Sequence, residues 1–123
     1  MVLYHFTCSC SERKLGYRAR LVPHRQPLLG DTPALWATDL DEVPDNPAEL
    51  GLTSYTLKCD RTEHRYLIQQ PELFEHFPAF QARTGLGAEL VGPDQRPEHW
   101  WIAFAPVRVT RSPRKRPNLN LRP

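Results

Sequence analysis

Three segments stand out for what their side chains can do: Tyr4-His5-Phe6-Thr7, Leu35-Trp36-Ala37-Thr38-Asp39 and Glu98-His99-Trp100-Trp101-Ile102. In chain order they offer an imidazole, a large aromatic face and a carboxylate. An imidazole hydrogen-bonds and exchanges protons near neutral pH, an aromatic face stacks on a planar ligand, and a carboxylate stabilises positive charge that develops in a transition state. Each residue also has a plainer use. His5 reads equally as a packed strand histidine, Trp36 as core or edge packing, and Glu98 as a solvated acid at a strand start. Trp100 and Trp101, adjacent in a strand, face opposite sides and more often pack than bind.

Other groups are weaker candidates. Five histidines and three cysteines raise the question of a metal, with His5, Cys8, Cys10, Cys59 and His64 as conceivable soft ligands. The spacing argues against zinc, because Cys-x-Cys at a strand end points its two sulfurs to opposite faces rather than into one tetrahedral site. No metal site is assigned. Arg61 or Arg65, and Arg13, Arg18 and Arg20 after the first strand, could meet a phosphate or form solvated faces. No Gly-rich phosphate loop, no G-x-S-x-G and no H-E-x-x-H occurs, so the chemistries built on those motifs are not expected.

The elements that must hold these residues are mostly strands. Residues 2–7 are rich in strand formers and end at a polar Cys-Ser-Cys-Ser. Residues 34–38 form a second apolar run, residues 51–59 and 64–68 give one or two strands, and residues 99–105 are the most apolar stretch of all. Ser9 or Ser11 is placed to cap a short helix over residues 12–17. Residues 21–30 read as loop because Pro23 and Pro27 fix the backbone and remove donors. Residues 40–50, with four acids and two prolines, read as a surface loop with one helical turn at most. Leu73, Phe74, Phe77 and Phe80 recur at roughly helical spacing, and Pro78 must break or begin that helix. The expected fold class is α+β: a small split antiparallel β-sheet with short helices, in one domain over residues 1–110.

A chain of 123 residues, 40% hydrophobic and 24% charged, builds one small core. It has no apolar run of membrane-spanning length and no basic, then apolar, leader. Its three cysteines are odd in number. A cytoplasmic protein that does not enter membranes is therefore expected. The net charge of +2 conceals a gradient: residues 111–123 hold Arg111, Arg114, Lys115, Arg116 and Arg122 and no acid, leaving the body acidic. With three prolines and only Leu119 and Leu121 to bury, this stretch reads as a basic tail, disordered or loosely docked. It is either a solvated end or an arm for nucleic acid or another acidic surface.

Taken together, the three segments resemble the ADP-ribosyltransferase superfamily of the histidine, aromatic and glutamate type, in its compact phage-borne or toxin-like form. There the first strand carries His followed, one residue on, by Thr or Ser, as in His5-Phe6-Thr7. The aromatic of a later strand is matched by Trp36-Ala37-Thr38-Asp39, and the catalytic-glutamate strand by Pro97-Glu98-His99-Trp100-Trp101 and the apolar residues after it. Phe6 stands where many members have Gly, and Trp36 where Tyr is commoner.

The resemblance implies an ADP-ribosyltransferase-like fold that binds NAD and moves ADP-ribose onto a nucleic acid or protein acceptor. It implies catalytic roles for Glu98 and His5, with His5, Phe6, Thr7, Trp36 and Thr38 lining the NAD site. Glu98 would stabilise the oxocarbenium-like ribose as nicotinamide leaves. His5 would hold a ribose hydroxyl while its other nitrogen bonds the backbone, and Trp36 would stack on nicotinamide. Two other functions fit the same residues: a small nucleic-acid-binding or inhibitory module without chemistry, and an RNA 2'-phosphotransferase on a related fold.

Overall fold

The structure is a computed structural model that describes residues 1–7, 18–51 and 62–114. Among these residues eight strands form: β1 (Tyr4–Thr7), β2 (Arg18–Leu21), β3 (His24–Gln26), β4 (Thr32–Thr38), β5 (His64–Ile68), β6 (Glu75–His76), β7 (Trp100–Ala103) and β8 (Val107–Arg111). All pairings are antiparallel, in the order β2-β8-β5-β1-β4-β7-β6, with β3 paired to the start of β4. One helix, α1 (Phe77–Thr84), accompanies them, with short 3-10 turns in the connections. This is a small α+β fold. None of the described helices is long and apolar enough to cross a membrane.

Alternation along the strands divides the sheet into two faces. On one, Leu3, Leu35, Ala37, Tyr66, Ile68, Ala103, Val107, Val109 and Leu21 form a single buried cluster. The cluster runs from Leu21 of β2 to Ala103 of β7, near opposite ends of the strand order, through the strands between them. On the other face Phe77 and Phe80 of α1 pack with Ala34, Trp100 and Ile102, and half-buried Trp36 leans on them. Pro78 sits in the first turn of α1, where its missing N–H is no loss, and the helix ends at Gly85 in the left-handed conformation (φ 73°). Gly87, also left-handed at φ 89°, lies so close to Phe77 that a Cβ there would come within 2.8 Å of the Phe77 ring.

Several expected elements shift. Leu21 closes β2 and residues 24–26 form β3, so the stretch read as loop is partly strand. The last apolar run is a strand only over Trp100–Ala103, because Pro97–His99 wind into a 3-10 turn. Pro106 then lies in the link to β8, a strand the charged residues Arg108 and Arg111 disguised. The proposed helix over 12–17, the strand over 51–59 and the three cysteines lie outside the described residues.

The basic stretch expected to be loose from 111 onward is tied down at its start. Arg111 ends β8 opposite Tyr66. Buried Arg65 then donates from Nη2 to the Pro113 carbonyl at 2.7 Å and Ser112 Oγ at 3.0 Å, and from Nη1 to the Asp41 carbonyl. Arg114 donates to Glu42 Oε1 at 2.8 and 2.9 Å and to the Thr62 carbonyl. Residues 115–123 lie outside the described residues.

Candidate functional site

β1 is held by β5 over four register pairs but meets β4 at one, Tyr4 opposite Thr38. Beyond that pair the two strands part, and the His5 ring occupies the parting. Its Nδ1–H donates to the Trp36 carbonyl at 2.7 Å. A carbonyl can only accept, so this bond assigns the proton to Nδ1 and leaves Nε2 as the acceptor. Burial holds the His5 pKa below its ordinary 6.5, and the charge of nearby His24 acts in the same direction, against the raising effect of the Trp36 carbonyl. At neutral pH the ring is therefore an uncharged acceptor fixed in place.

The pH consequence has a definite sign. The unfolded chain binds a proton at His5 more readily than the folded one, so its contribution to stability is intact above 6.5 and is lost as pH falls through and below that value. His5→Gln is expected to flatten the acid side of the stability profile below about pH 6.5. Urea midpoints measured across that range test this, and a variant whose slope matches the parent's would show that His5 titrates normally.

Register decides which other side chains share the His5 face. Thr38 faces Trp100 and Ala37 faces Trp101. Counting from the Tyr4–Thr38 pair, His5 falls in the row of Ala37 and Trp101, and His76 of β6 ends that row. Thr7 shares the face, whereas Phe6, Trp36 and Thr38 are on the opposite one. The Trp36 ring packs edge-on against Phe77 (5.1 Å between centroids) and Trp100 (6.0 Å), so what it presents to His5 is its backbone carbonyl. Of the large aromatics on the His5 face, Tyr66, directly opposite His5 on β5, is fully buried, and Trp101 is the partly exposed one.

Glu98 belongs to the 3-10 turn before β7 and its side chain is exposed. It lies two strands away from His5 and on the far side of the Tyr4–Thr38–Trp100 row, a backbone separation of roughly 12 to 14 Å from the strand spacing and rise. A compact network holds its backbone. His76 Nε2–H donates to the Glu98 carbonyl at 2.7 Å, and the His76 ring lies on Trp101 at 4.7 Å. Trp101 Nε1–H donates to Asp39 Oδ2 at 3.2 Å, and His99 Nδ1–H to Asp39 Oδ1 at 2.8 Å. Thr38 Oγ1, accepting the Leu40 N–H at 3.2 Å, fixes the turn that carries Asp39 out of β4.

No family model, no curated protein and no solved structure matches this chain. What the site can do is read from its own groups. It has two halves: a neutral, oriented imidazole at the β1–β4 parting, and an exposed carboxylate beside an aspartate–histidine pair at the start of β7, with the indole of Trp101 between them. Among the described residues no three His, Cys, Asp or Glu side chains cluster closely enough to hold a metal ion, and the Cys8, Cys10 and Cys59 of the conceivable zinc set lie outside those residues. Of the arginines considered as phosphate ligands, Arg65 is committed to the buried clasp with Glu42 and the segment after β8. Arg13 and Arg61 lie outside the described residues. His24, His76, Asp39, His99 and Trp101 were not singled out as site residues by spacing. Asp39, His99 and Trp101 all sit inside the quoted segments, but only the β4–β7 register shows that they meet.

Proposed function

We propose that this chain is an NAD-dependent ADP-ribosyltransferase with an ADP-ribosyltransferase-like split sheet. The observation that carries the reading is the Nδ1–H bond of His5 to the Trp36 carbonyl. A ribose hydroxyl donates a hydrogen bond to a neutral imidazole nitrogen, and His5 offers one at Nε2, with its tautomer set and its charge suppressed. The distance between His5 and Glu98 refines the roles. A dinucleotide has two riboses joined by a pyrophosphate, one for each of these two residues. His5 then holds one ribose and Glu98 serves the other, where the bond to nicotinamide breaks.

As that bond breaks, its electron pair goes to the nicotinamide nitrogen and positive charge grows on the ribose. The exposed Glu98 carboxylate stabilises that charge and orients a ribose hydroxyl. Trp101 supplies the stacking surface on the His5 face, and Trp36 braces His5 through its carbonyl. The acceptor we favour is nucleic acid. Arg20 and Arg108 stand directly opposite each other across β2 and β8, both exposed and without a carboxylate partner among the described residues. Like charges in that position repel, and a phosphate between them relieves the repulsion while contributing affinity without sequence preference.

Thermal unfolding with and without NAD tests the reading. NAD at 100 times its dissociation constant is expected to stabilise the protein by about 2.7 kcal/mol, and Trp101→Ala to weaken that shift more than Trp36→Phe does. Labelled NAD incubated with protein and cell lysate, then digested with nuclease or protease, is expected to lose macromolecular label to nuclease. Absence of both a thermal shift at millimolar NAD and any label transfer would overturn the reading. Stabilisation by single-stranded nucleic acid alone, steeply salt-dependent, would replace it with a binding module.

A further inference from the structure

ADP-ribose transfer needs more than a departing nicotinamide: the acceptor atom arrives carrying a proton that must leave. His5 is poorly placed to take it, being half-buried with one nitrogen on the Trp36 carbonyl and the other assigned above to a ribose hydroxyl. The network beside Glu98 holds a second imidazole of different character. His99 follows Glu98 directly in the chain and is about a third exposed, as is Asp39. Its Nδ1–H is donated to Asp39 Oδ1 at 2.8 Å, so Nε2 is the basic nitrogen, with no partner among the described residues. The other Asp39 oxygen accepts from Trp101 Nε1 at 3.2 Å, and so the carboxylate is held at both ends and cannot rotate away from the imidazole. A base aligned by a carboxylate that is itself aligned by a third group is the arrangement expected of a working proton acceptor.

We infer that His99 is the general base that deprotonates the acceptor, with Asp39 as its positioning residue. The inference rests on the ADP-ribosyl transfer reading above. The balance is direct. The acceptor's oxygen or nitrogen forms a bond to ribose C1', and the C1'–nitrogen bond of NAD breaks with its electron pair going to neutral nicotinamide. The proton of the acceptor passes to His99 Nε2. The imidazolium so formed is stabilised by Asp39 and returns its proton to water. Glu98 and His99, adjacent in one turn, then divide the work: the carboxylate serves the ribose and the imidazole serves the incoming group.

The experiment compares the intact chain with His99→Ala, His99→Gln and Asp39→Asn, using labelled NAD and the lysate fraction that the wild type labels. His99→Ala is expected to lower kcat by a factor on the order of 10² to 10⁴, with the KM for NAD and the NAD thermal shift unchanged. Added imidazole should restore part of that kcat, which a merely structural role would not allow. His99→Gln keeps a donor for Asp39, so it guards the fold while abolishing the base, and its kcat should be equally low. Asp39→Asn should lower kcat by a smaller factor that imidazole does not rescue and that Asp39→Glu partly recovers. Wild-type kcat in His99→Gln, or a loss in His99→Ala that imidazole leaves untouched, would overturn the inference and leave the transferase reading standing. Wild-type protein that neither binds nor transfers NAD would overturn both.

Discussion

Glu98→Gln lowers ADP-ribose transfer by a factor on the order of 10² to 10³, with the fold and the NAD thermal shift preserved. The two halves of this expectation have separate causes. Structurally the carboxylate is dispensable: it is exposed and accepts no hydrogen bond from the described residues, while the turn is held by backbone bonds and by His76 Nε2–H donating to the Glu98 carbonyl. In the proposed transfer it is not dispensable, because glutamine keeps the shape and loses the charge that would oppose the growing positive charge on ribose. Initial rates with labelled NAD, set beside melting curves of the same preparations, separate the two. Turnover equal to that of the parent would remove Glu98 from the site, and a lowered melting temperature would show that the turn depends on the side chain after all.

A stability effect of comparable importance is expected far from the chemistry. Glu42 lies between two guanidiniums, Arg114 at 2.8 Å and Arg65 at 3.8 Å, and all three side chains are about nine-tenths buried. Arg65 also lies over the Tyr4 ring at 4.7 Å, and Arg114 over Phe6 at 6.0 Å. Glu42→Gln leaves two buried positive charges facing each other without a counter-charge, and the expected cost is about 3 kcal/mol. The urea midpoint should fall with the slope unchanged. Ending the chain after residue 110 removes Ser112, Pro113 and Arg114 and should cost a similar amount, whereas ending it after 114 leaves the clasp whole. A Glu42→Gln midpoint within error of the parent's would mean that water already screens the pair.

Strands whose apolar residues run together were legible in the sequence. Residues 34–38 and 64–68 fall inside or on β4 and β5, and Pro78 begins a helix as its lack of an N–H dictates. β2 and β8 were not legible, because Arg18, Arg20, Arg108 and Arg111 crowd two short segments that then resemble a solvated, charged run. Only pairing with each other and with β5 makes them strands. The site behaves similarly. His5 and Glu98 drew notice by residue type, but which tryptophan shares the His5 face depends on a register that no local spacing encodes. Asp39 and His99 are sixty residues apart in sequence and meet only through the β4–β7 ladder.

The place of β8 in the sheet has a consequence for how the molecule comes into being. β8 is the last of the described strands in sequence, yet it lies between β2 and β5, so that Arg18–Leu21 have their ladder partner only in Val107–Arg111. During synthesis β2 emerges some ninety residues before the strand it needs, and until then it is an unpaired edge without a neighbour. The buried cluster that holds Leu3, Tyr66 and Ala103 is completed by Val107 and Val109. A nascent chain thus cannot complete this cluster, nor give β2 its ladder partner, before Val107–Arg111 have been made.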